Sequence, residues 1–216
     1  MTPNKEDYLK CIYEIGTEMQ KITNKEIAAR MQVSPPAVTE MIKRMKSENL
    51  ILKDKENGYL LTDIGLKLVS ELYRKHRLIE VFLVHHLDYT SDQIHEEAEV
   101  LEHTVSDLFV ERLDKLLGFP QTCPHGGTIP AEGELLVEIN NLPLAAVQEA
   151  GTYLLTRVHD SFELLKYLEK HAIHIGDQLQ VKQFDGFSNS FTLVNKDEDL
   201  QVSMDIAKQL YVEKIN

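Results

Sequence analysis

The sequence predicts a mainly α protein with small β parts: a winged helix-turn-helix, then a helical middle, then a small β-barrel. Three observations predict it. A short helical pattern and a proline-opened helix stand only a few residues apart before residue 50. Two short β-type runs then flank Asn57-Gly58, a strong hairpin signal. The tail from His174 alternates short strands with turn clusters, the pattern of a small barrel.

The elements follow in order. Residues 4–19 carry Tyr8, Ile12 and Ile15 at helical spacing. Thr23 is a suitable N-cap, with Glu26 three residues on as in a capping box. A break at Gln32-Val33-Ser34 precedes Pro35-Pro36, and proline suits a first helical turn. Val38, Met41, Ile42 and Met45 then share one face. Two helices joined by so short a turn make a helix-turn-helix, and hairpin runs at 50–53 and 59–62 add the wing. One long helix runs from Thr62, with Leu66, Val69, Leu72, Ile79, Phe82 and Leu83 as apolar positions. Residues 91–118 are expected as a further helix, capped by Ser91 and stopped by Gly118. A loop with three prolines and three glycines follows at 119–134, and a helix is expected near 159–170. The expected domains are 1–64, 65–142 and 143–216.

Composition narrows the function. No stretch of 18 apolar residues occurs, so no membrane span is expected. The polar N-terminus lacks the apolar region of a secretory signal. Two cysteines, Cys11 and Cys123, provide no disulfide framework, and a cytoplasmic setting follows. The net charge of -12 argues against nucleic acid only until its distribution is read. Residues 1–75 hold 13 basic and 11 acidic residues, and the rest hold 10 and 24. A mildly basic module is attached to an acidic body.

A helix entering the major groove needs small or polar residues at its start. Ser34, Pro36, Ala37, Thr39, Glu40 and Lys43 occupy that start and its outer face. Lys25, Arg30, Arg44 and Lys46 stand where backbone phosphates would be neutralised. On the wing, Lys53, Lys55 and Tyr59 could touch backbone or minor groove. An ordinary three-helix module with a solvated face would share these features.

The histidines are less bland, because five of nine fall within residues 76–103. His76 and Glu80 are one turn apart. His95, Glu99, Glu102 and His103 stand at i, i+4, i+7 and i+8, one face of an expected helix. Glu99, Glu102 and His103 alone offer three ligands to one ion. Leu101, Val105 and Leu108 already provide a core face, which weighs against a merely charged outer surface. Asp7 reads as a helix-start residue, and Cys123-Pro-His125 as a soft pair in a loop. His85, His86, His171 and His174 have no companions at ligand spacing.

The runs SPPAVTEMIKRMKSENLI, YLLTDIGLKL, YRKHRLIEVFL and HEEAEVLEHTVSD, in this order, closely resemble the diphtheria toxin repressor family of metal-dependent repressors. The match covers residues 4–127, and the chain is most similar to the manganese-responsive branch of streptococci. The resemblance implies a winged helix, a helical dimerisation domain holding the metal sites, and a Src-homology-3-like C-terminal barrel. It implies homodimers that bind palindromic double-stranded operators of metal-uptake genes when loaded with metal. It places a primary site on Asp7, Glu99, Glu102 and His103. It places a second site on His76, Glu80 and His95, with help from Cys123, His125 or Asp160. Iron-responsive members carry methionine and cysteine at the Asp7 and Glu99 positions. Carboxylates there favour the harder manganese ion, with zinc, cadmium or ferrous iron as substitutes in vitro. Other manganese-responsive members have an acidic residue where this chain has Lys10, which argues for two separated sites.

Two alternatives stand beside this reading. A di-metal carboxylate–histidine enzyme in a helical bundle would need four ligand-bearing helices, and only Glu99-x-x-Glu102-His103 approaches such a motif. A peptide-binding adaptor would need exposed aromatics, for which Phe184, Phe187 and Phe191 are the candidates.

Overall fold

The computed structural model describes residues 3–18, 21–90, 93–196 and 198–215. The chain forms two compact units. The first comprises residues 1–76, 102–105 and 130–136, and the second comprises 77–101, 106–129 and 137–216.

The first unit begins with α1 (Pro3–Glu18), α2 (Asn24–Arg30) and α3 (Pro35–Ser47). The Thr23 hydroxyl caps α2 by accepting from Glu26 N at 3.4 Å, and Ser34 caps α3 by accepting from Ala37 N at the same distance. The missing N–H of a proline costs nothing at these first helical positions. Gln32, with φ +53°, reverses the chain between the two helices. Leu9, Ile12, Ile15, Ile27, Val38, Ile42 and Met45 meet in one buried core. Each is worth about 1.5–3 kcal/mol on burial, which fixes the rotation of α3 and turns its other face outward.

The hairpin pairs β1 (Ile51–Asp54) with β2 (Gly58–Leu61), so both strands differ slightly from the runs expected at 50–53 and 59–62. The Asp54 carboxylate accepts from Glu56 N and Asn57 N at 2.9 and 2.7 Å and so makes the turn itself. Gly58, at φ +82°, is the first residue of β2, opposite Asp54. A Cβ there would stand 1.9 Å from Ile22 O, because Ile22 bridges to this strand and completes the wing.

Helix α4 (Asp63–Leu87) is the expected long helix. The expected helix over 91–118 is corrected: it is two helices, α5 (Ile94–Leu101) and α6 (Asp107–Leu116). Ser106 ends the intervening turn by accepting from Phe109 N at 3.2 Å, starting a new helix. Glu102 and His103 lie in the turn and not on a continuous stripe. The expected cap at Ser91 lies outside the described residues.

In the second unit β3 (Gly151–Val158), β4 (Gln178–Asp185), β5 (Ser190–Asn195), β6 (Glu198–Ser203) and β7 (Leu210–Lys214) form an antiparallel sheet. Its order is β6-β5-β4-β3-β7. Register shifts at Leu155/Arg157 and Val181/Gln183 mark the irregularities that bend a small sheet. Helices α7 (Phe162–Lys170) and α8 (Met204–Ala207) pack onto it through Leu164, Leu165, Leu168 and Ala207. This is the small Src-homology-3-like β domain, and Phe191 is in its core. Phe184 packs on Phe191 at 5.0 Å, leaving only Phe184 and Phe187 of the three aromatics exposed.

Candidate metal centres and DNA-binding face

In the first unit, the His103 imidazole stands beside two carboxylates. His103 Nε2 is 2.9 Å from Asp7 Oδ1 and 3.6 Å from Glu102 Oε1. Asp7 comes from α1 and is partly exposed, whereas the Glu102 side chain is fully buried. His76, also buried, places Nδ1 2.5 Å from Glu102 Oε2. Glu102 Oε1 makes no hydrogen bond among the described residues. A buried carboxylate oxygen without a hydrogen bond is costly; the Lys10 ammonium 3.5 Å away offsets part of that cost, and a divalent ion held with Asp7 and His103 would offset more. The donor set fits a hard divalent ion.

Two further residues border this site, of which Glu6 carried no signal in the sequence. Glu6 Oε2 lies 2.6 Å from His103 Nδ1, the arrangement that holds a ligating imidazole in one orientation. Lys10 is buried with Nζ 3.5 Å from Glu102 Oε1 and 5.5 Å from the Tyr73 ring centre. Its ammonium already supplies positive charge beside Glu102.

In the second unit, Glu80, Cys123 and His125 are all buried, with ligand atoms within 4.8 Å of one another. His125 Nδ1 is 3.1 Å from Glu80 Oε1 and 3.2 Å from Asp160 Oδ1. The same Asp160 oxygen is 3.0 Å from His95 Nδ1, and His95 Nε2 is 3.8 Å from Glu99. The loop carrying the Cys123 and His125 pair is thus brought to Glu80, and Asp160 joins it. Local geometry explains how. Cys123 N donates to Gly127 O and Gly126 N to Cys123 O, both at 2.9 Å, closing a tight turn. Gly126 sits at φ +80°, where a Cβ would meet Thr156 O at 2.0 Å. Val158 N donates to His125 O at 2.9 Å, pinning the turn to β3.

The electrostatics suit a cation. Burial pushes the Cys123 thiol up, and the Glu80 carboxylate pushes it further. Burial alone would lower His125, but the Asp160 and Glu80 carboxylates outweigh it and hold the imidazole well above its ordinary value. A proton is retained where two carboxylates call for positive charge. A thiol and two imidazoles among carboxylates form a softer set than the first centre.

The remaining residues form the outer face of the helix-turn-helix. Lys25, Arg30, Ser34, Pro36, Ala37, Thr39, Glu40, Lys43, Arg44 and Lys46 are all exposed. Arg44 pairs with Glu40 at 3.5 Å, and Arg30 with Glu14 at 3.4 Å. Asn24 donates to the Thr39 hydroxyl at 3.0 Å, joining the two helices across the turn. Lys53 and Lys55 on the wing are exposed and Tyr59 is half-buried.

Comparison with known proteins accounts for both features. Residues 1–59 match the iron dependent repressor N-terminal DNA binding domain, and residues 62–131 match the iron dependent repressor metal binding and dimerisation domain. Residues 142–214 match the FeoA domain. The diphtheria toxin repressor of Corynebacterium diphtheriae is 27% identical over 221 residues, covering 97% of this chain and 96% of that protein. The crystal structure of ScaR with bound zinc is 64% identical with a TM-score of 0.94, covering 98% of this chain and 100% of that one. The structure of the manganese regulator SloR is 59% identical with a TM-score of 0.91, covering 100% of both chains. No helix among the described residues is long and apolar enough to cross a membrane. This chain belongs to the diphtheria toxin repressor family of metal-dependent, DNA-binding transcriptional repressors.

Proposed function

We propose that the chain is a cytoplasmic, homodimeric repressor that binds palindromic operators of metal-uptake genes when loaded with manganese. Membership of a repressor family sets aside the helical-bundle enzyme. The observation that supports the proposal most is the convergence of Asp7 and Glu102 on His103 Nε2, an oxygen-rich set in a winged-helix protein. Such a set suits manganese, and a repressor 63% identical is described as manganese-activated.

The residues divide the work. Asp7, Glu102 and His103 are the proposed donors of the first centre, and Glu99, three residues before Glu102, is added by resemblance. Asp7 belongs to α1, whose apolar face packs in the winged-helix core. Engaging its carboxylate therefore ties the recognition helix's own domain to the Glu102-His103 turn. A bound divalent ion supplies the positive charge that lets these carboxylates stand together. It shifts the population toward the DNA-binding arrangement only by its differential affinity for that arrangement. Glu80, His95, Cys123, His125 and Asp160, with His76 on the same helix as Glu80, are the proposed second set. The thiol makes zinc and cadmium acceptable there. ScaR, 64% identical, has been crystallised with each, and ferrous iron is a further substitute in vitro. On the DNA side, Ser34, Pro36, Ala37, Thr39, Glu40 and Lys43 face base edges, and Lys25, Arg30 and Arg44 face phosphates. Exposed Leu108, Phe109 and Leu116 of α6 support association of two copies, and a palindrome requires two-fold symmetry. We assign these roles to domains bounded at 1–64, 65–142 and 143–216.

The test is operator binding by the full chain, titrated with manganese, ferrous iron and zinc, with excess chelator as control. Manganese should tighten binding, and added salt should weaken it. Equal affinity in chelator and in manganese would overturn the co-repressor role.

A further inference from the structure

The second centre poses a mechanical problem. Its donors come from separate stretches of chain: Glu80 on α4, Cys123 and His125 in a glycine-rich turn, and Asp160 two residues beyond β3. Val158 N holds the turn to β3 through His125 O, and His125 pairs with Glu80 and Asp160. A further contact outside the donor set fixes the turn against α4.

Glu138 stands where those stretches meet. Its Oε1 accepts from Arg77 Nη2 at 2.6 Å, and its Oε2 accepts from Thr128 N at 2.9 Å. Arg77 also donates through Nη1 to Thr128 O. Arg157 Nη1 lies 4.0 Å from Glu138 Oε1, while its Nε donates to Asn140 O at 2.6 Å and its guanidinium stacks 3.4 Å over the Tyr211 ring. The next residue, Ile139, donates its N–H to the Thr128 hydroxyl at 3.0 Å. Each partner is close in the chain to a proposed donor. Arg77 is one turn before Glu80 on α4. Thr128 closes the Cys123–His125 turn through its bridge to Thr122. Arg157 adjoins Val158, whose N–H holds His125 O, and is three residues before Asp160.

We propose that Glu138 is a positioning residue for the second metal centre: its two carboxylate oxygens clamp the Cys123–His125 turn to α4 and β3, so that donors from separate segments arrive at one point. The inference rests on the reading of Glu80, Cys123 and His125 as ligands. Its physical basis is geometric. A carboxylate shared between a guanidinium fork and a backbone N–H is directional. A buried ion pair contributes little beyond apolar packing, but removing one partner leaves the other charge unpaired and costs stability, so placement is read from the difference between the two centres. Outer partners that orient ligands change metal affinity by about 10–100-fold when removed.

The experiment uses the full chain and cadmium or cobalt(II) as probes. Cys123 is the only sulfur among the proposed ligands of either centre, so a thiolate-to-metal charge-transfer band reports the second centre alone. Manganese binding at the first centre is followed separately by electron paramagnetic resonance. Glu138→Gln keeps the shape and removes the charge. It should weaken the band's titration by about 10–100-fold and leave the manganese titration unchanged. Amide exchange at residues 122–129 of the metal-free protein should quicken. Glu138→Asp should restore part of the affinity. Arg77→Lys, which loses the fork and keeps the charge, should reproduce the defect in smaller measure, so the test does not hang on one variant's folding. No charge-transfer band in the unmodified protein would overturn the second centre itself. A normal band with unchanged affinity in Glu138→Gln would overturn the positioning role alone. Equal weakening at both centres would also overturn it, assigning Glu138 to general stability.

Discussion

The two centres differ in how their donors reach one another. The first takes Glu102 and His103 from adjacent positions in one turn and adds Asp7, a partly exposed carboxylate. The proposed second set gathers buried Glu80, Cys123 and His125 with partly exposed His95 and Asp160, from α4, a glycine-rich turn, α5 and the chain just beyond β3. The proposed first set is oxygen-rich, and its Asp7 is partly exposed, as suits a reversibly bound ion. The proposed second set is softer, and in it Asp160 pairs with His95 of α5 and with His125. On the proposed reading, similar residue types would serve a reversible sensor in one place and a structural fastening in another. Exposure and donor softness decide which.

Removing the thiol should break the comparison most sharply. Cys123→Ser should abolish the charge-transfer band of the cadmium-loaded protein, lower second-centre affinity by on the order of 100-fold or more, and leave manganese binding at the first centre intact. Loss of manganese binding as well would mean that the centres are not separate. A smaller effect is expected at Glu6, which lies 2.6 Å from His103 Nδ1. Glu6→Gln should weaken manganese binding by about tenfold with no change in the cadmium band, as read by calorimetry and absorbance on the same preparations. A change confined to the cadmium band would place Glu6 in the wrong centre.

The smallest effect concerns pH. Burial alone would raise the Glu138 carboxyl, but Arg77, the Thr128 N–H and Arg157 hold it below its ordinary value of 4.5. A depressed folded-state value means that this ionisation stabilises the fold above pH 4.5. That contribution is lost as pH falls through the still lower folded value. Denaturant unfolding of metal-free protein should therefore show a stability gap between the native chain and Glu138→Gln at neutral pH. The gap should narrow below pH 4.5. A gap constant with pH would mean that the charge is not what matters.

Much of the first unit was legible in the sequence because its signals are local. Thr23 with Glu26, Ser34 with Pro35-Pro36, and the spacing of Val38, Ile42 and Met45 each act within a turn or two of helix. Asp7 was less legible. Spacing gave it a helix start, and resemblance alone linked it to His103, 96 positions away. The helix over 91–118 was misread because apolar spacing runs through its break, while Ser106 quietly starts a new helix. Gly126 and Gly127 marked a turn, but nothing in their spacing says that the turn docks against Thr156 and brings Cys123 to Glu80. The Arg77–Glu138 pair spans 61 positions, and such pairings appear only when the chain is folded. Asp160 was named through resemblance, and Glu6 not at all.

The central claim is that Asp7 couples metal binding to DNA binding. Operator affinity and manganese stoichiometry, measured together on the native chain and Asp7→Ala, test it most directly. The native chain should bind manganese at the first centre and gain operator affinity with it. Asp7→Ala should still bind metal through Glu102, His103 and Glu99, more weakly, yet gain little operator affinity even when saturated. If the variant gains full operator affinity with manganese, Asp7 is only a helix-start residue and the coupling account is wrong.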